Sequence, residues 1–138
     1  MSYTYVSNKM FFLKLSIFVC CVILINAEEG CPYVKACLEE TEGKVTSDDI
    51  KKIQSIRNEE EIDNVPTEVL CVLQCAHKKR GVLVGEKIDP KKLVADEKLM
   101  KRIKDREPFL ECVEKIEFKE CDDMKKYMKC MMKSLKHG

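Results

Sequence analysis

Apolar residues in this chain recur at helical spacing, and the alternation expected of a half-buried strand is almost absent. Pro32 suits the first turn of a helix running toward Glu42, which Gly43 would end. Ser47, followed by Asp48 and Asp49, predicts the N-cap of a second helix through Ile50, Ile53 and Ile56. Pro66 opens a third, PTEVLCVLQCAHKKR, whose basic end meets a glycine stop at Gly81. The stretch GVLVGEKID holds two glycines and no helical period, so a loop is expected there. A fourth helix from Pro90 carries Leu93, Leu99, Met100 and Ile103. A fifth starts at Pro108, with Phe109, Cys112, Val113 and Ile116 at i, i+3, i+4 and i+7 on one face. The chain is expected to break between Phe118 and Asp122. A sixth helix follows, with Asp122 and Asp123 at its start and lysines toward its end, as the helix dipole prefers. Met124, Met128, Met131 and Leu135 form its apolar stripe. The fold class that results is all-α, a bundle of about six short helices.

The N-terminal segment adds a compartment. FFLKLSIFVCCVILI is a short apolar run with Lys9 just upstream and small Ala27 before acidic EEG, the layout of a secretory signal over residues 1–27. A membrane-spanning helix needs about 20 apolar residues, and the uninterrupted run after Ser16 is too short. Residues 28–138 are then expected to form one small domain. Of the chain's 25 basic residues, Lys9 and Lys14 leave with the signal, so 23 face 24 acidic ones and the net charge is −1. That balance gives no reason to expect nucleic acid as a partner.

Cysteine usage adds a framework. Nine cysteines less Cys20 and Cys21 leave seven, a density that in a small secreted chain reads as disulfides. A zinc site is disfavoured, since no C-x2-C pair occurs and the two histidines lack zinc-module spacing. Cys112, Cys121 and Cys130 are spaced nine apart. On one continuous helix Cys112 and Cys130 would lie roughly 27 Å apart at 1.5 Å per residue, far beyond bridging reach. With the break before Asp122, two antiparallel helices can bring them together. Cys71 and Cys75 lie side by side on the third helix and must bridge to other elements. If Cys112 takes Cys130, they take Cys37 and Cys121, in an order that geometry leaves open. Cys31, six residues before Cys37 on a helix, is too far from it to bridge it. It is either an unpaired thiol or the link of a covalent dimer, so monomer and dimer both stand.

The pattern Cys37-x33-Cys71-x3-Cys75-x36-Cys112-x8-Cys121-x8-Cys130 resembles the six-cysteine signature of insect odorant-binding proteins, the general-odorant and pheromone-binding family. The x3 and final x8 spacings are its most specific parts, and ACLEETEGKVTSDDI around Cys37 is similar to the family's first-cysteine segment. The resemblance covers nearly all of residues 28–138. It implies a compact six-helix bundle with three interlocked disulfides, Cys37–Cys75, Cys71–Cys121 and Cys112–Cys130. It also implies an apolar cavity for a small hydrophobic molecule such as an odorant or pheromone, a role in olfaction, and a chemosensory receptor as a further partner.

Bridges that hold the backbone allow an incompletely filled interior. Candidate wall residues are Leu70, Leu73, Leu93, Met100, Ile103, Phe109, Val113, Ile116, Met124, Met128 and Met131, each of which also suits ordinary core. The methionines suit a surface that accepts several shapes. Tyr127 can hydrogen-bond a ligand hydroxyl or carbonyl, but a half-buried bundle edge is the expectation, and His77, beside Lys78 and Lys79, is expected to be solvated. Only MMKSLKHG follows Cys130, too little for a tail that enters the cavity. An enzyme is not expected. A secreted phospholipase A2 needs a His-Asp pair and a calcium loop, whereas CAHKKR has Lys78 beside the histidine, and no catalytic centre, cofactor or metal is assigned. The remaining class is a secreted membrane-active or toxin-like module, resting on the basic amphipathic KKYMKCMMKSLK.

Overall fold

The computed structural model describes residues 32–53 and 55–136. The signal segment 1–27 and Cys31 lie outside the described residues. Among the described residues eight α-helices follow one another: α1 Pro32–Glu40, α2 Ser47–Ile53, α3 Glu59–Asp63, α4 Thr67–Lys79, α5 Pro90–Ala95, α6 Glu97–Arg102, α7 Arg106–Glu114 and α8 Met124–Ser134. A two-stranded hairpin, β1 Leu83–Val84 and β2 Lys87–Ile88, separates α4 from α5, and a 3-10 turn at Cys121–Asp123 leads into α8. No helix among the described residues is long and apolar enough to cross a membrane.

Local chemistry explains the boundaries. The carboxylate of Asp49 accepts from the Thr46 amide at 2.9 Å while Thr46 Oγ1 accepts from the Asp49 amide, a reciprocal cap one residue before the expected Ser47. α4 ends in a Schellman motif: Gly81 has φ 80°, its amide donates to Lys78 O and the Val82 amide donates to His77 O.

Besides α2 ending at Ile53, short of Ile56, and α7 starting at Arg106, ahead of Pro108, three elements differ from the sequence expectation. α3 was not expected at all. It is a single turn, held by Asn58, whose side chain accepts from the Glu61 amide at 2.9 Å, and too short to show a period. The fourth helix is two helices, because Asp96 breaks it: its backbone is extended and its carboxylate caps α6 by accepting from the Leu99 amide. The expected loop at 81–89 contains the hairpin. Gly85, first of its two turn residues, takes φ 63°, the sign a type II′ turn requires there, and Leu83 pairs with Ile88 with both side chains buried. The Phe118 amide donates to Glu86 O at 2.8 Å and ties this hairpin to the end of α7.

α4 is the hub. α1, β1, the 3-10 turn and α8 all pack on it, and α7 lies along α8. Disulfides fasten three of these contacts: Cys37–Cys75 joins α1 to α4, Cys71–Cys121 joins α4 to the 3-10 turn, and Cys112–Cys130 joins α7 to α8. Their Cα separations are 6.0, 4.8 and 5.8 Å, within the normal range for bridged cysteines. The pairs are the ones that the family resemblance implies, and they choose between the two orders that geometry left open. Past α8, Ile103 and Leu135 form an isolated antiparallel bridge, in which the Lys104 amide donates to Ser134 O and the Lys136 amide to Arg102 O. The chain's last described residues are thus held against the end of α6.

Candidate functional site: the apolar interior

The candidate wall residues converge. Leu70 and Leu73 from α4, Leu93 from α5, Phe109 and Val113 from α7, and Met124, Tyr127, Met128 and Met131 from α8 are all buried in one apolar cluster. Ile103, just past α6, and Ile116, just past α7, join it, while Met100 packs half-buried at its border. They share this core with Val34 and Cys37 of α1, Ile50 and Ile53 of α2 and Ile62 of α3. Val69, Val72, Leu83, Ile88, Leu99 and Phe118, which are not among the candidate wall residues, belong to the same cluster.

Two polar residues lie inside this apolar mass, contrary to expectation. Tyr127 is 1% exposed and is not a bundle edge; His77 is 2% exposed and is not solvated. The helical period explains both. Leu70, Leu73 and His77 fall at i, i+3 and i+7 of α4, so the histidine shares the stripe that faces the core, while Lys78 and Lys79 lie off it. Tyr127 sits between Met124 and Met131 at i+3 on the stripe of α8. The neighbouring charges in sequence masked a signal that the spacing carried.

The two rings meet edge to face, with centroids 5.2 Å apart and planes at 73°, and Phe118 completes the group with its ring centroid 6.4 Å from that of Tyr127. His77 Nδ1 lies 2.8 Å from Leu73 O, one turn back on α4. A carbonyl can only accept, so Nδ1 carries the proton and Nε2 is left bare in the neutral ring. Burial pushes the His77 pKa from 6.5 down to about 4, helped by the Arg80 charge and opposed by the Leu73 carbonyl. The ring is therefore neutral at physiological pH. Burial also pushes the Tyr127 phenol well above its ordinary value, so it remains a donor. Arg80 and Asp96, paired at 3.4 Å and partly exposed, lie within electrostatic reach of Tyr127.

Elsewhere, open hollows lie on the surface of the described residues. One, of about 230 Å³, lies between α2, α3 and the start of α4 on a floor of Ile53, Ile56, Val65 and Val69. Another, of about 300 Å³, borders Glu40, Gln74, Lys78 and Lys79 beside two disulfides. Neither is lined by the candidate wall residues. Glu40 also lies close to the sulfurs of Cys37 and Cys75, but those sulfurs are bonded to each other and offer no thiolate to a metal.

Comparison with protein-family models, with curated proteins and with solved structures finds no match to this chain.

Proposed function

We propose that this chain is a secreted carrier that binds a small hydrophobic molecule, of the odorant or pheromone type, within the helical bundle and keeps it in solution. One observation carries the reading. Three interlocked disulfides join five elements of the fold around a shared apolar interior, in the order associated with the cysteine spacing of odorant-binding proteins. The bridges constrain the backbone without needing a completely filled core, which leaves the interior free to accept a guest. Disulfides also fit an oxidising compartment. Three methionines on α8, Met124, Met128 and Met131, are fully buried and supply side chains that can re-pack around ligands of different shape. Apolar burial at about 25 cal/mol per Å² supplies the affinity.

The membrane-active alternative draws less support from the basic helix. Lys126, Lys129 and Lys133 each form an ion pair, with Asp123, Asp63 and Glu59, and Lys125 donates to Asp63 O. Those charges have partners on the protein's own surface.

The test is displacement of the fluorescent apolar probe N-phenyl-naphthylamine from the oxidised protein. Long-chain alcohols, esters or fatty acids are expected to displace it at micromolar concentration. If the probe does not bind and no apolar ligand is detected at tens of micromolar by calorimetry, the carrier reading fails. Binding to anionic lipid vesicles without added ligand would favour the alternative.

A further inference from the structure

His77 and Tyr127 are more than core. Placing two polar rings inside an apolar cluster costs free energy unless their hydrogen-bonding atoms find partners. His77 makes one hydrogen bond, through Nδ1, and none of the hydrogen bonds among the described residues involves its Nε2 or the hydroxyl of Tyr127. Yet no side-chain nitrogen or oxygen that is fully sealed off among the described residues lacks a partner. Both atoms must therefore border space that a water-sized group can enter, although the residues carrying them are 2% and 1% exposed. The result is a bare imidazole acceptor and a phenol donor, on two different helices, with rings in contact.

We propose that His77 and Tyr127 form the polar end of the ligand site and select a molecule whose head group is a hydroxyl. An alcohol is a simple head group that uses both: its hydroxyl donates to His77 Nε2 and its oxygen accepts from the Tyr127 hydroxyl. An ether, ester or aldehyde can only accept, so it satisfies Tyr127 and leaves Nε2 unpaired. A carboxylate also cannot donate, and it must be desolvated beside a neutral ring. The aliphatic tail is assigned to the apolar cluster to which Leu73 and Tyr127 belong. The selectivity resides in the missing partner: a site built around a donor and an acceptor rejects the analogue that leaves one unpaired.

This assignment rests on the carrier reading, and the experiment separates their failures. Lauryl alcohol and its methyl ether are titrated against N-phenyl-naphthylamine bound to the disulfide-intact protein. The alcohol is expected to bind roughly tenfold more tightly than the ether, the scale of one buried hydrogen bond left unmade. His77→Leu should bring that ratio close to one, because it removes the acceptor only the alcohol uses. Tyr127→Phe should weaken both ligands by a similar factor and keep the ratio. Near-UV circular dichroism reports whether each variant keeps its packing. Should either variant fail to fold, the wild-type ratio still decides: an alcohol that binds no better than its ether overturns the assignment, while the carrier reading stands. A ratio that survives His77→Leu in a folded protein overturns it equally. Absence of binding by probe and both ligands would instead remove the carrier reading.

Discussion

The Asp63 carboxylate lies 2.7 Å from Lys129 Nζ and joins the short helix α3 to α8. Beside it, Lys125 Nζ donates to the Asp63 carbonyl at 2.9 Å. One turn of helix, too short to be stable by itself, is thus held by side chains from the far end of the chain. Both partners remain partly in water, which limits the worth of the pair. Asp63→Asn is expected to lower unfolding free energy by under about 1 kcal/mol. Urea melts at low and high salt check this: the difference from wild type should shrink as salt screens the pair.

Acid should weaken the fold through His77. Its folded pKa of about 4 lies below the ordinary value of 6.5, so the unfolded chain takes up a proton before the folded one does. Stability from this group is fully present above pH 6.5 and declines as pH falls toward 4. The shift corresponds to about 3 kcal/mol across that window at 1.36 kcal/mol per unit. Hydrogen bonds from backbone amides lower the carboxyl pKa values of Asp49 and Asp123, with contributions from Thr46 and from Lys126. Their contribution is present above the ordinary carboxyl value of 3.8 and is lost only below it. Chemical denaturation at steps between pH 7 and 4 should show the decline in wild type and a flatter profile in His77→Leu.

Each disulfide should be worth a similar amount. The bridges span 38, 50 and 18 residues of sequence, and chain-entropy arguments assign each about 3–4 kcal/mol when removed alone. Replacing Cys112 and Cys130 together by serine should cost least, since its loop is the shortest. Guanidinium melts of the three paired-serine variants measure the order. An equal or larger loss at Cys112–Cys130 would mean that sulfur packing between α7 and α8 outweighs loop closure.

Gly81 is required for its backbone conformation, not for space. At φ 80° it has no heavy atom near enough to meet an added Cβ. Gly81→Ala should still cost about 1 kcal/mol, because an L side chain disfavours the left-handed region. Thermal melting would register the loss.

How far the sequence could be read depended on the range of the interaction. Helix starts and stops are local, so Pro90 and Gly81 mark real boundaries, and the i, i+3, i+4 stripe of α8 does face the core. Short elements escaped. α3 and the two-residue strands β1 and β2 are shorter than any period that could announce them. The split at Asp96 was hidden because aspartate at a helix interior and aspartate at a cap look alike in a string of letters. His77 was misjudged because its sequence neighbours are lysines, while its neighbours in space are Leu73 and Tyr127.

By itself, the sequence determined helical class, the cysteine spacing and the apolar faces, because each follows from the rotation per residue and the reach of a side chain. Only the tertiary structure decided which cysteine of α4 met which partner, and that an imidazole and a phenol from helices fifty residues apart share one buried contact. Those outcomes turn on how helices cross one another, a relation between distant segments that no local spacing encodes.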